Sequence, residues 1–261
     1  MQTLSGSAMA PTVDILGFPV LNVDMDEPVA AIAAILEEWT VGAQAIAQRR
    51  SARVVTANAE IMYRAHSEEA SAKLLRAADM IVPDGIGVVK AAAMLGRPLK
   101  ARVAGADLME ELAALAEAKG HSIYLLGASK ESVEGAAAAL RKKHPALRIA
   151  GLHDGYFNEE ERETILSDIE ATQPELLFIA MGFPGEHRFF EEHRSRLPVG
   201  VMVGVGGSFD ALSGTVKRAP VWVQRAGLEW AYRFAQNPRR LKRFYALPAF
   251  VLAVLKQKYR R

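Results

Sequence analysis

Short runs of Val, Ile and Leu recur through this chain, each ending near a turn residue and most followed by a helical pattern. Runs that are apolar on both faces suit strands buried between two layers of helix, and their alternation with helices indicates parallel pairing. They fall at residues 53–56, 80–82, 121–127, 147–152, 175–181 and 199–205. Helical patterns fall at 28–39, with Asp26 as its expected cap, and at 60–77, 87–95, 105–119 and about 159–171. One more runs from a Ser129 cap to about residue 143. The expected fold is α/β: a Rossmann-like, mostly parallel sheet with helices on both faces and right-handed crossovers.

Charge is unevenly placed. Residues 217–261 hold twelve Lys and Arg against one acid, Glu229, and so carry +11, while the remainder holds twenty basic and twenty-nine acidic residues, or −9. A polybasic segment on an acidic body calls for an anionic partner: nucleic acid, a membrane surface or a phosphorylated ligand. Two helices, at 220–236 and 238–255, are expected there, separated by Asn237-Pro238. The expected division is an α/β core at 1–215 and a basic helical appendage at 216–261. Its apolar stretch, 244–255, falls short of the roughly 20 residues that a membrane span needs. It suits either a helix lying in a membrane interface or one packed on the core. The chain has no Cys, which excludes disulfides, thiolate metal sites and a cysteine nucleophile and fits a reducing cytoplasm. The first ten residues lack the basic and apolar regions of a signal peptide.

Candidate site residues collect at strand ends, where open α/β sheets bind ligands. Asp84, in Pro83-Asp84-Gly85-Ile86-Gly87, follows one apolar run. It is either a turn or cap residue, or a general base whose carboxylate is partly desolvated. Thr56 and Asn58 close the preceding strand, and Asn58 is either a cap for the next helix or a pocket residue. Arg102 precedes the expected helix start at Gly105-Ala106-Asp107, a combination that favours an anion unless Asp107 merely caps the helix. Gly127 ends a strand in a Rossmann-like turn, although the G-x-G-x-x-G of a nicotinamide dehydrogenase is missing. Gly206, Gly207 and Asp210 form a glycine loop fit for a diphosphate and a ribose hydroxyl, or else a tight structural turn. The six His show no metal-ligand spacing, and only His187 lies just past a strand end. Arg240 and Arg243 share a helix face, with Arg233 beyond Pro238. No helix-turn-helix or stacking platform supports nucleic-acid binding.

In order, Thr56-x-Asn58-x-Glu60, Pro83-Asp84-Gly85-x-Gly87, Arg102-x-x-Gly105-x-Asp107 and Tyr124-Leu125-Leu126-Gly127 resemble strings of the WecG/TagA/CpsF family of bacterial glycosyltransferases. So do Gly155-Tyr156-Phe157, Gly204-x-Gly206-Gly207-Ser208-Phe209-Asp210, Arg218-Ala219-Pro220-x-Trp222, Leu228-Glu229-Trp230-x-Tyr232-Arg233 and Pro238-x-Arg240-x-x-Arg243. The resemblance implies an inverting, metal-independent transferase without a cofactor, peripheral on the cytoplasmic face of an anionic inner membrane. It would move a hexose or N-acetylhexosamine from a UDP-sugar to a polyprenyl-diphosphate-linked sugar in cell-surface polysaccharide synthesis. It implies Asp84 as base, Arg102 as a positioning group, and Thr56 and Asn58 in the pocket. Gly127, Gly206, Gly207 and Asp210 would lie at the nucleotide, and Arg233, Arg240 and Arg243 over the diphosphates. The appendage would dock on the membrane; homo-oligomerisation is left open. Where the family usually reads Gly-x-Pro-Lys-Gln-Glu, this chain has Gly182-Phe183-Pro184-Gly185-Glu186-His187. Glu186 and His187 would then meet substrate with altered charge, and a neutral hexose donor becomes as plausible as N-acetylmannosamine. A non-catalytic binding protein for a UDP-sugar or polyprenyl diphosphate is the competing class.

Overall fold

A computed structural model describes residues 10–41, 51–216, 219–220, 223, 232 and 245–260. Its centre is a six-stranded sheet in the order β4-β3-β8-β7-β5-β6, and every pairing in it is parallel. The strands are β3 (Ala52–Ala57), β4 (Met80–Pro83), β5 (Ser122–Gly127), β6 (Arg148–His153), β7 (Leu176–Ala180) and β8 (Val201–Gly204). All but β6, at one edge, are buried along their whole length, β4 at the other edge included, which is why they read as mainly apolar runs.

The period-2 alternation of strand side chains divides the core between two faces. Val54, Val82, Leu125, Phe178 and Val203 pack with α1 (Asp26–Val41), α5 (Gly105–Lys119), α6 (Lys130–Lys143) and Phe209 of the short α9 (Ser208–Ser213). Val55 and Ile81 face the other way, onto α2 (Ala59–Ser67), α3 (Glu69–Arg76) and α4 (Ile86–Met94). Leu126, Leu177 and Met202 share that second face with α7 (Glu159–Thr172) and α8 (Gly185–His193). The parallel sheet with helices on both sides is as expected.

Local details differ from the sequence reading. The helix expected at 60–77 is broken at Glu68, whose backbone is extended, φ −126° and ψ 115°. The Ser67 hydroxyl bonds back to the Tyr63 and Arg64 carbonyls, and the Glu68 carboxylate accepts from Arg64 Nε and Ser71 Oγ across the break. Side-chain competition of this kind ends a helix without Gly or Pro. Asp26 lies inside the first turn of α1 instead of capping it, and Asp24 Oδ1 accepts its N–H at 3.2 Å. A hairpin of β1 (Thr12–Ile15) and β2 (Phe18–Leu21), turning at Leu16-Gly17, stands where no strand was expected.

The basic segment is described only in part. Most of 217–244 lies outside the described residues, including the expected helix at 220–236 and the start of the one at 238–255. The described portion is α10 (Ala246–Tyr259), which continues past residue 255 and holds Pro248 in its first turn, where a missing N–H costs nothing. Phe250 and Val254 bury themselves among residues of α2 and α4. Gln257 accepts from Leu16 N at 2.8 Å and donates to Asp14 Oδ1 at 2.6 Å, binding α10 to the hairpin turn. Among the described residues no helix is long and apolar enough to cross a membrane.

Candidate active site

The carboxyl ends of the parallel strands open into a cleft of about 580 Å³. Chain direction creates it: from β5 the sheet runs outward to β6, and from β7 it runs back to β8, so the loops after β5 and β7 part. Thr56, Asn58, Asp84, Arg102, Glu186, Gly206, Gly207 and Asp210 all line the cleft. Residues far apart in sequence therefore share one surface.

Backbone hydrogen bonds fix the Asp84 side of the cleft. Asp84 N donates to Ala57 O at 2.8 Å, one rung beyond the β3–β4 ladder, and Val103 N donates to Pro83 O at 2.8 Å. The two bonds hold Asp84 and the Arg102 segment side by side at the mouth of the sheet. The cap position of α4 is Gly85, without a side-chain cap bond, so Asp84 does not serve that helix as its cap. Helix α5 is capped by Ala104, which has no side-chain acceptor, and Asp107 falls in its first turn. Ala104, Gly105 and Ala106 line the cleft, so the positive end of the α5 dipole faces it next to Arg102.

Thr56 and Asn58 have structural duties as well. Thr56 Oγ1 donates to Gly204 O at 2.8 Å, and Asn58 Oδ1 accepts from Ile61 N at 3.0 Å as the N-cap of α2. Capping and lining prove compatible in Asn58. On the opposite wall Ser132 Oγ donates to Asp210 Oδ1 at 2.8 Å, so the buried start of α6 orients the carboxylate of the glycine loop. Ser208 Oγ closes that loop on Val205 O at 2.7 Å.

Other expected residues sit elsewhere. Gly127 is behind the cleft wall, against Ala180, and Ala128 and Ser129 line the cleft in its place. His187 is wholly buried and does not line it. Residues 185–193 form a helix, α8, where a loop was expected, and this turns His187 inward. Arg233, Arg240 and Arg243 lie outside the described residues. Several lining groups received no role from sequence, Met181 and Phe183 among them. Tyr156, 81% exposed, stands at the rim within a string noted above only for its resemblance. Ala246 and Leu247, from the first turn of α10, also reach the cleft. Among the described residues no group of three or more His, Asp or Glu is placed to hold a metal ion.

A doubly wound parallel sheet with a cleft at its strand ends defines an α/β protein whose ligand site lies at the carboxyl edge of the sheet. The family model for the glycosyl transferase WecG/TagA/CpsF family matches residues 13–261. The chain is 38% identical over 212 residues to an N-acetylglucosaminyldiphosphoundecaprenol N-acetyl-beta-D-mannosaminyltransferase of Bacillus subtilis (strain 168), covering 81% of this chain and 82% of that protein. A protein of the same name from Bacillus spizizenii is 40% identical over 209 residues, 80% of each chain. One from Staphylococcus aureus (strain MW2) is 35% identical over 246 residues, 94% of this chain and 93% of that protein. The chain belongs to the WecG/TagA/CpsF family, and it is a glycosyltransferase.

Proposed function

We propose that this glycosyltransferase moves an N-acetylhexosaminyl group from a UDP-sugar to a sugar on a polyprenyl diphosphate, inverting the anomeric centre, with Asp84 as base. The observation that carries this reading is the placement of Asp84, backbone-fixed at the cleft mouth beside Arg102 and the uncapped start of α5. The acceptor hydroxyl oxygen forms the new bond to the anomeric carbon and gives its proton to Asp84. The bond from that carbon to the diphosphate oxygen breaks, and UDP leaves with the electron pair. Negative charge growing on UDP is met by Arg102 and the α5 amides. Asp210, oriented by Ser132, suits a ribose hydroxyl. The relatives' printed names support both the acceptor class and an N-acetylhexosamine donor, against the neutral hexose that the altered 185–187 loop left open.

The test is UDP release from UDP-N-acetylhexosamines in the presence of N-acetylglucosaminyl-diphosphoprenol. Release that needs both substrates is expected. Tight UDP binding without release on any prenyl acceptor would make the chain a binding protein.

The reading extends to a docking face at the cytoplasmic surface of the membrane. On α10, Val251 and Leu252 are 42% and 60% exposed, Tyr245 and Tyr259 flank them, and Lys256, Lys258 and Arg260 follow. Apolar and basic groups in this order suit an anionic lipid surface. Reversing Lys256, Lys258 and Arg260 together to Glu should cut co-sedimentation with phosphatidylglycerol vesicles roughly tenfold or more. Equal binding by the triple variant would remove this face from the reading.

A further inference from the structure

Beneath the glycine loop, two titratable side chains are packed together out of water. Glu186 is 2% exposed and His187 is fully buried, with Glu186 Oε1 3.6 Å from His187 Nε2. The Glu186 carboxyl accepts from Gly182 N at 3.1 Å through Oε2, and the amides of Met181 and Gly206 face it closely enough to favour its charged form. Neither ring nitrogen of His187 has a hydrogen-bond partner. Both side chains use space left by Gly204, where a Cβ would fall 2.6 Å from His187 Nε2 and 2.7 Å from Glu186 Oε1.

We propose that Glu186 and His187 form a buried positioning pair, uncharged while Glu186 keeps its proton, that holds the loop after β7 against the glycine loop after β8, and that sugar transfer fails in alkali when this proton leaves. The proposal rests on the transferase reading above and adds a control to the same site.

The chemistry of the two groups is complementary. A neutral carboxylic acid has one O–H to donate, and a neutral imidazole has one nitrogen able to accept it. Charging either group inside this packing is costly. Burial pushes the Glu186 carboxyl up to about 8 in spite of the amides that face it, Gly182 N first among them. Burial, followed by the nearby Arg53 guanidinium, pulls His187 down to about 3. The pair therefore keeps a single proton across the intervening range. The charged groups around it are Arg53 from β3, paired at 2.9 Å with Glu191 of α8, Arg64 from α2, which donates to Phe183 O at 3.3 Å, and Glu60, Asp84, Arg102 and Asp210 on the shared cleft. Once the proton is lost, a carboxylate is left in the floor with a neutral imidazole that cannot compensate it. Water must then enter between the two loops.

The pH dependence of folding follows from the same shifts. Glu186, raised from 4.5, holds in the folded chain a proton that the unfolded chain releases, so its contribution falls as pH rises from about 4.5 to about 8. His187, lowered from 6.5, takes up a proton more readily when unfolded, so its contribution falls as pH drops from about 6.5 to about 3. Between about 4.5 and 6.5 the two slopes offset.

The decisive comparison is wild type against Glu186→Gln, whose carboxamide keeps the shape but cannot titrate. UDP release and melting temperature are followed from about pH 6 to about pH 9, each normalised to its own value at the lower end. Wild type should lose melting temperature between about pH 6.5 and 8, level off above that, and lose rate around pH 8, and Glu186→Gln should lose neither over that interval. An identical alkaline fall in Glu186→Gln would overturn the pair. If no sugar is transferred at any pH, the transferase reading fails, while the melting limb still decides the pair. Should Glu186→Gln not fold, infrared spectra of wild type serve instead. A carboxylic-acid carbonyl band present at neutral pH and lost in alkali is expected, and its absence at neutral pH would overturn the proposal.

Discussion

Asp84→Asn should lower kcat on the order of a thousandfold, the typical contribution of a positioned general base, and leave UDP binding unchanged. Asn is the same size and keeps the backbone N–H that bonds Ala57 O, so the β3–β4 edge and the Val103–Pro83 tie are untouched. What the change removes is the negative charge and, with it, the group able to take a proton. An interaction needed only as the acceptor hydroxyl attacks should therefore vanish from kcat while the KM for donor stays near wild type. Single-turnover UDP release, with calorimetric UDP binding beside it, separates the two. A variant that turned over at near wild-type rate would place the base elsewhere in the cleft, and one that lost UDP binding as well would make Asp84 a binding group. Arg102→Ala should behave differently, because a cation next to the diphosphate holds the bound donor and holds still more strongly the charge that grows on departing UDP, so KM and kcat should both worsen.

The strands were legible because burial on both faces leaves them mainly apolar, with Arg53, Thr56 and Ser122 as buried exceptions. Val54-Val55, Ile81-Val82 and Leu125-Leu126 are apolar in succession, and each run ends where the chain must turn into the cleft. The same logic exposed Asp84, Asn58 and the Gly206-Gly207 loop, since open α/β sheets gather ligand-binding residues directly after such runs. Other features leave no such trace. The β1–β2 hairpin is two four-residue strands with Pro19 in one of them, too short to show a period. Helix α8 reads as Gly-Glu-His-Arg-Phe-Phe-Glu-Glu-His, and its charges conceal that Glu186 and His187 point inward. That burial depends on Gly204, which precedes the glycine loop and whose missing side chain cannot be matched to α8 without coordinates. The break at Glu68 is set by side-chain hydrogen bonds in a segment of otherwise good helix formers.

Gly127 is where the sequence and the structure assign different work to one residue, and substitution should show which one governs. Its φ is +125°, a region that side chains other than glycine's rarely enter, and an added Cβ would fall 2.6 Å from the Ala180 carbonyl carbon and 2.8 Å from Ala180 N. Those are backbone atoms of the paired strand β7, held by the Gly127–Ala180 register and by the Ala128 N to Ala180 O bond of 2.9 Å. They cannot swing aside as the tip of a side chain could. Gly127→Val should thus cost backbone strain of about 1–3 kcal/mol and overpacking of a similar size, together roughly 2–6 kcal/mol. At about 2–4 °C per kcal/mol for a chain of this length, the melting temperature should fall by roughly 5–20 °C without any ligand present. Gly96→Ala is the control, because Gly96 has φ +75° but no atom within 4 Å of its added Cβ. It should show the strain alone, about 1 kcal/mol. If Gly127 serves chiefly to let a nucleotide approach, the order reverses: Gly127→Val would keep its melting temperature and lose UDP affinity. The contact with Ala180 favours the first outcome, because the clash exists in the empty protein and a ligand can neither create nor relieve it.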